Sequence, residues 1–422
     1  MTSVPRGRCD ASADDPLGRR EQLTFKANLR HTRHGWLRLT PAYSVHLVAG
    51  LLEPRPRARG VVLDPFCGTG TTALVCAERG IECHTTDINP FLVWLARAKT
   101  SSYTDAELAS AQRAAKAIAG ALMTRKRRLD WLPALHRIEK WWSPRTLAAL
   151  ARARAAIARR EGRLPSASLD LLKIAFCRLL IAHANVSFGH QSMSFARNGA
   201  ASERGVESAL ASTWQRAVAD ITSAARVPLS GAVAAIPCDA RELRTALEPR
   251  GYDRVITSPP YPNRMSYIRE LRPYMYWLGY LSDGRTAGEL DWRAIGGTWG
   301  AATSNLARWT PDAALAVPFR GFERLLGAIA VTSPLLARYV ERYFHDMLAH
   351  SASVFDVVRA GGQVHYVVGN SKFYDVLVPV EQIFAALFED VGFRDVRVER
   401  LRKRSSKKEL FEFLVSARKP GR

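Results

Sequence analysis

The chain has 422 residues, 47% of them hydrophobic, and carries 61 Lys+Arg against 39 Asp+Glu, for a formal net charge of +22 and a pI near 10.2. Such a chain can bury a large core, as two or three units or one elaborated domain, and its charge points to an anionic partner, usually nucleic acid, although Ala/Arg pairs also fit a GC-rich genome. The six cysteines, Cys9, Cys67, Cys76, Cys83, Cys177 and Cys238, form no CxxC pair and have no paired histidines beside them, which excludes a disulfide framework and a zinc site.

In chain order, residues 1–24 are polar and mixed in charge; they read as a disordered tail without the apolar core of a signal peptide. No apolar run approaches the ~18 residues of a membrane helix, so a soluble, cytoplasmic protein is expected. RLTPAYSVHLVAGLLEPRP (38–56) holds a turn at Pro41, then a short helix with Val45, Val48, Leu51 and Leu52 on one face. RGVVLDPFCGTGTTALVCAERG (59–80) predicts a strand over Val61, Val62 and Leu63, a glycine turn, and a helix from Thr71 to Glu78 stopped by Gly80. A second strand ends at Asp87. This βαβ opening implies a parallel sheet. Residues 104–228 are Ala-, Arg- and Leu-rich, with helical periodicity broken near Pro133, Pro144 and Pro165, and a polar loop at 187–206 that is a further candidate for target recognition. The sheet resumes with strands ending near Asp239 and at Ser258. Residues 282–320 are rich in Gly, Trp and Thr and read mostly as loop. A long helix (335–359), a strand (GGQVHYVVGN), a helix (PVEQIFAALFEDVGF) and a closing strand (ELFEFLVSARK) complete the chain.

DPFCGTGTTA places Gly68, Gly70 and Ala73 in the GxGxxG/A pattern, with Asp87 following Gly68 by 19 residues. Glycines let the backbone turn tightly and approach a ligand at a helix N-terminus, and an acid ending the second strand can accept bonds from ribose hydroxyls. There is no GK[ST], which excludes a phosphate-binding P-loop. By spacing alone, NAD and S-adenosylmethionine are rivals. Later, DRVITSPPYPNR (253–264) ends a strand in prolines, which donate no N–H and fix their own φ. The result is a stiff loop carrying a serine hydroxyl and a phenol.

DPFCGTGTT and TSPPY together resemble the amino-group DNA methyltransferases, over most of the chain outside 104–228. The resemblance implies an α/β, Rossmann-like class I methyltransferase fold: a mostly parallel twisted sheet with an antiparallel C-terminal strand, plus a helical insertion. It implies S-adenosylmethionine as cofactor, held by Asp64, Pro65, Phe66, Cys67, Gly68, Thr69, Gly70, Thr71 and Thr72. LTPAYS, with Thr40, Pro41, Ala42 and Tyr43, is similar to the family segment beside the methionine end. Asp87 and Ile88 look like the ribose-binding pair, and Asp239 and Ala240 like the pair near the adenine. Ser258, Pro259, Pro260 and Tyr261 would be catalytic: Ser258 Oγ and the Pro259 carbonyl accept the two amine hydrogens, freeing the nitrogen lone pair, while Tyr261 stacks on a flipped base. Serine at the first position is typical of the cytosine-N4 enzymes, which points to N4-methylcytosine. Motif order is similar to the family's γ arrangement, and the insertion is the departure from it.

The division that follows is a tail (1–24), a cofactor-binding half (25–103), a helical insertion that could contact DNA (104–228), a catalytic part (229–281), a loop-rich target-recognition segment (282–334) and a C-terminal part of the sheet (335–422). Residues 113–163 carry 14 Lys/Arg against three acids, and residues 394–422 carry 11 against four, so these windows hold 18 of the 22 net charges. Arg125, Lys126, Arg127 and Arg128 in the first window, with Asn263 and Arg264 after the tetrapeptide, are the expected DNA contacts. Trp131, Trp141 and Trp142 fit helical core or base stacking. His190 and His365 read as structural, and Cys238 as a strand-end residue. The expected partner is double-stranded DNA, with a cognate restriction endonuclease and a monomer or homodimer both open, and the location cytoplasmic and nucleoid-associated. Alternatives are an adenine-N6 DNA enzyme, an RNA N-methyltransferase, an NAD-dependent oxidoreductase, and a catalytically silent DNA-binding module.

Overall fold

The computed structural model describes residues 28, 33–37, 39, 43–53, 60–124, 131–187, 194–195, 205–262, 266–298, 301–312, 315–404 and 409–421. The tail expected at 1–24 lies outside them.

Helix α1 (Val45–Leu51) leads into strand β1 (Val61–Asp64), helix α2 (Thr71–Glu78), strand β2 (Glu82–Asp87) and helix α3 (Pro90–Thr100). Four longer helices follow: α4 (Asp105–Met123), α5 (Pro144–Ala158), α6 (Ser166–Ala182) and α7 (Val206–Ala225). A short strand pair, β3 (Val186–Ser187) with β4 (Ser194–Phe195), stands between the last two. Then come β5 (Val233–Pro237), β6 (Tyr252–Thr257), α8 (Tyr267–Leu278), α9 (Gly284–Arg293), α10 (Ala301–Arg308), α11 (Phe322–Ala330) and α12 (Pro334–Val357). The chain closes with β7 (Val358–Gly369), the hairpin β8 (Ser371–Phe373) and β9 (Val376–Val378), α13 (Val380–Asp390), β10 (Arg394–Lys403) and β11 (Phe411–Arg418).

Seven strands form one sheet in the order β10-β11-β7-β6-β1-β2-β5. Strands β1, β2, β5, β6 and β7 run parallel, and β11 runs antiparallel to both β7 and β10. This is the Rossmann-like α/β arrangement, with one reversed strand near the C-terminus. Strand order reverses between β1 and β6, so the crevice at their carboxyl ends is the natural ligand position.

Helices cover both faces. On one, Val45, Val48 and Leu52 around α1 meet Val62 and Ile256 of the sheet. On the other, Phe344 and Val354 of α12 and Phe384 and Phe388 of α13 pack on Val364, Tyr366, Val368 and Val415. The helices between 105 and 225 share a third core with α3 and α8, built on Phe91, Trp141, Trp142, Phe176, Trp214 and Trp277. Their ends are set locally: Thr104 and Glu107 form a capping box on α4, and Ser143 caps α5 ahead of Pro144. Trp141 and Trp142 are core, each 1% exposed, whereas Trp131 is 48% exposed and sets its edge against Trp277.

The reading of 282–320 as mostly loop is corrected: α9 and α10 lie there. Asp283 caps α9 by accepting from Thr286 N at 2.8 Å. Trp292 is held by Arg342, whose guanidinium lies 3.5 Å from the ring centroid and donates to the Trp292 carbonyl at 2.7 Å. Such long-range contacts stabilise helices too polar and short to show a clear period. No described helix is long and apolar enough to cross a membrane.

Candidate active site

The glycine turn is built by its own backbone. Strand β1 delivers Asp64, whose Oδ1 accepts from Phe66 N at 3.1 Å and starts the turn. Cys67 N donates to the Thr86 carbonyl at 2.8 Å, and Gly70 N to the Cys67 carbonyl at 2.8 Å. Gly68 (φ +49°) and Gly70 (φ +75°) take left-handed conformations that favour glycine. A Cβ at Gly70 would already touch Ala96 Cα at 3.4 Å, so α2 and α3 stay close. Thr71 and Thr72 open α2 below the turn, and the Thr69 and Thr71 hydroxyls are bonded to each other at 2.9 Å. Pro65 accepts from the Thr86 hydroxyl at 3.1 Å, and Phe66 sets its edge on His350.

Three acids stand where the sequence placed them, at the carboxyl edge. Asp64 is fully buried; its Oδ1 accepts from the Thr257 hydroxyl at 2.6 Å, and its Oδ2 has no hydrogen-bond partner among the described residues. Burial lifts its carboxyl to about 7, against the opposing bonds from Thr257, Thr72 and Phe66. Asp87 stays partly exposed and accepts from Gly68 N at 3.2 Å and Asn89 N at 2.9 Å. Burial raises it to about 6, opposed by those backbone bonds. A carboxylate has about four acceptor positions, so Asp87 can brace the turn and still bind a diol. Ile88 beside it is half-buried. Asp239 is gripped by Arg241, which donates at 3.0 Å and 2.6 Å to its two oxygens and at 2.7 Å to Asp346. Burial opposes the charge on Asp239, but these bonds win and hold its carboxyl below the ordinary value. The Ala240 carbonyl pairs with His350 Nδ1 at 2.8 Å.

Behind the turn sits a residue that motif reading missed. Lys99, 1% exposed, donates to the Thr69 carbonyl at 3.0 Å, and burial brings its amine down to about 8. A signal was present: Phe91, Leu95 and Lys99 recur every four residues on the buried face of α3. Tyr43 reaches the site through Thr72, with which it shares a hydrogen bond, and the Ile256 carbonyl, 3.3 Å from each hydroxyl, accepts from whichever of the two does not donate to the other.

The tetrapeptide leaves β6 directly after Thr257. Ser258 Oγ donates to the Val367 carbonyl at 3.0 Å. Tyr343 of α12 donates to the Pro260 carbonyl at 2.7 Å, and the Tyr267 hydroxyl bonds the Tyr261 backbone. The loop, whose prolines have no N–H to donate, is fixed by phenols from two helices, Tyr343 donating to the Pro260 carbonyl and Tyr267 accepting from the Tyr261 backbone. The Tyr261 ring lies on Gly369 at the end of β7, where burial pushes its phenol well up.

The remaining expectations divide. Cys238 is 8% exposed and burial raises its thiol, as do Asp239 and Glu242, which is poor placement for a nucleophile. His365 pairs with the Ser416 hydroxyl at 3.0 Å. Thr40, Pro41, Ala42, Asn263, Arg264, Arg125, Lys126, Arg127, Arg128 and His190 lie outside the described residues.

Over 72 residues, 17% of this chain, the sequence is 36% identical to the type II methyltransferase M.BsoBI of Geobacillus stearothermophilus, covering 14% of that protein. It is 32% identical over 72 residues to the type II methyltransferase M.AvaI of Nostoc sp., covering 15% of it. The matched stretch thus spans about a seventh of these curated relatives. Among solved structures, TrmN from Thermus thermophilus aligns over 97% of this chain and 55% of its own, at 11% identity and a TM-score of 0.31. No protein-family model matches the chain.

Proposed function

We propose that the chain is an S-adenosylmethionine-dependent DNA methyltransferase that modifies an exocyclic amino group, the N4 of cytosine, in double-stranded DNA. The observation that carries the reading is the 2.6 Å bond between Thr257 and Asp64, 193 residues apart, which seats the tetrapeptide against the glycine turn. One short edge then holds a cofactor turn and a preorganised acceptor loop. The short identity to type II methyltransferases supports DNA as substrate.

S-adenosylmethionine, when bound, supplies an electrophilic methyl group on a cationic sulfonium. The residues fit it. Asp87 offers acceptors to ribose hydroxyls, and Asp64 offers a buried, half-unpartnered carboxyl to a cationic ligand. The pyrophosphate of NAD would instead meet that carboxyl, which disfavours the oxidoreductase reading.

The loop handles the amine. Because Ser258 donates to Val367 and also bonds the Tyr261 phenol, one lone pair of its Oγ is left to accept an amine hydrogen, and the Pro259 carbonyl is the second acceptor. Two acceptors on two N–H groups draw the nitrogen toward tetrahedral geometry and free its lone pair. Fixed by Tyr343 and Tyr267, the loop does not reorganise during the reaction. Tyr261 stacks on the base, helping to offset the few kcal/mol of taking it out of the duplex.

The test is mass spectrometry of digested DNA methylated by the purified protein. N4-methylcytosine is expected, with Ser258→Ala cutting turnover by roughly 10²–10³. N6-methyladenine would change the base assignment, 5-methylcytosine would overturn the loop chemistry, and methylation of RNA alone would overturn the DNA substrate.

A further inference from the structure

Arg404 follows β10, far in sequence from both motifs. It is 9% exposed, although Lys403 before it is open to solvent. Its backbone N–H donates to the Leu410 carbonyl at 2.8 Å, and its Nη1 to the Asn370 carbonyl at 3.2 Å. The guanidinium carbon lies 5.5 Å from the centroid of the Tyr261 ring. The ring rests on Gly369, where a Cβ would come within 2.8 Å of Tyr261 Cε2, 3.0 Å of its Cδ2 and 3.2 Å of Arg404 Nη1. Asn370 ties the assembly to β11, donating to the Glu409 carbonyl at 2.9 Å and accepting from Phe411 N at 2.8 Å. The ends of β7 and β10 and the start of β11 thus converge on one phenol ring.

We propose that Arg404 is a positioning residue for Tyr261: with Gly369 it forms a shelf that fixes the ring so that its free face meets the substrate base. The inference rests on the reading of the tetrapeptide as the catalytic loop. An arginine suits the task because its planar cation is drawn to a π system while its N–H groups bond a fixed carbonyl. A ring held this way loses no rotamer freedom when a base stacks on it.

The test has two readouts in the full chain. With 3-fluorotyrosine placed at position 261, the unsubstituted chain should give one narrow ¹⁹F resonance. Arg404→Met and Gly369→Ala should each shift or broaden it, and Arg404→Lys should restore it in part. This readout needs no activity, so it stands even if the protein transfers no methyl to DNA, a result that would sink the functional reading alone. The second readout is steady-state kinetics on unmethylated plasmid DNA. Arg404→Met should lower kcat/KM for DNA about tenfold or more, the scale of a lost stacking contact, with adenosylhomocysteine affinity unchanged. In a Tyr261→Ala background the same substitution should do nothing further. A resonance unmoved by both variants, or additive losses in the double variant, would overturn the proposal and leave Arg404 as an anchor of the β10–β11 hairpin.

Discussion

Asp64 and Asp87 hold their protons more tightly folded than unfolded, at about 7 and about 6 against an ordinary 3.8. Between those limits the folded chain binds the extra protons, so their contribution to stability falls as pH rises from about 4 to 7. His350 and His365 act the other way. Burial holds each near 4 against an ordinary 6.5, so their contribution is lost as pH falls from 6.5 toward 4. The two sets offset each other across mildly acidic pH, and a single substitution should expose one of them. Asp64→Asn keeps the acceptor for Thr257 and Phe66 while removing the titration. Its melting temperature should gain on that of the unsubstituted chain between pH 5 and 8; parallel curves would refute the assignment. At this scale the sequence was informative where chemistry is local: Asp64 and Ser258 stand at strand ends that apolar runs and glycine or proline stops foretell, and Asp87 at the spacing of 19 residues after Gly68. Tyr343 and Arg404 were not legible, because their roles arise from contacts across long sequence separations, and neither was Tyr267, because a single bond from the first residue of α8 back to the Tyr261 backbone leaves no periodic signal.

Among the elements, the joint between sheet and insertion turns on Arg33. Its guanidinium donates to the carbonyls of Lys99 and Ser101 at the end of α3, and of Ala224, Ala225 and Val227 at the end of α7. Helix C-termini expose unpaired carbonyls and a partial negative charge, and one buried cation here serves two of them. Through α3 the joint also sets Lys99, which holds the Thr69 carbonyl of the glycine turn. Arg33→Met should therefore destabilise the fold by about 3 kcal/mol by leaving acceptors unpaired. It should weaken adenosylhomocysteine binding as well. Calorimetry showing a lower melting temperature with unchanged affinity would separate the joint from the turn. The elements themselves were legible where periodicity is strong: β1, α2, α12, β7, α13 and β11 follow apolar runs with clear stops, whereas the mostly polar β2 was legible as the return strand of the βαβ opening. Strand β10 was not, since as an exposed edge it carries Arg394, Arg397, Arg400 and Lys403 among few apolar positions. Edge strands commonly bear such charge, along with bulges, to prevent pairing with other chains.

For the molecule as a whole, the net charge of +22 is concentrated in two windows, and each is joined to an element at the tetrapeptide. The first reaches α8, which follows the loop, through Arg154, whose Nε donates to the Trp277 carbonyl at 3.0 Å. The second reaches Tyr261 through Arg404. Trp277 lies near the end of α8 that is far from the loop, whereas Arg404 lies beside Tyr261, so under the proposed function the second window is the one placed at the loop for phosphate contacts. Not all of the charge in the two windows is available. Arg145 is paired with Glu207, Arg152 donates to Ala121, and Arg402 grips Glu412, so those cations hold the fold together. The number of phosphates neutralised must then fall well below the number of Lys and Arg in the windows, and the salt dependence of nonspecific binding measures it. Log affinity against log salt should have a slope of about −0.9 for each phosphate contacted. Neutralising Arg125, Lys126, Arg127 and Arg128 together should flatten that slope by up to roughly 3.6, with adenosylhomocysteine binding unchanged. The same substitution in Arg145 and Arg152 should lower the melting temperature and barely move the slope, because their charge is already committed inside the chain. Fluorescence anisotropy with a random-sequence duplex over a range of salt concentrations decides the matter. An unchanged slope in the first variant would make the Arg125–Arg128 run an ordinary solvated face and leave phosphate tracking to the C-terminal window.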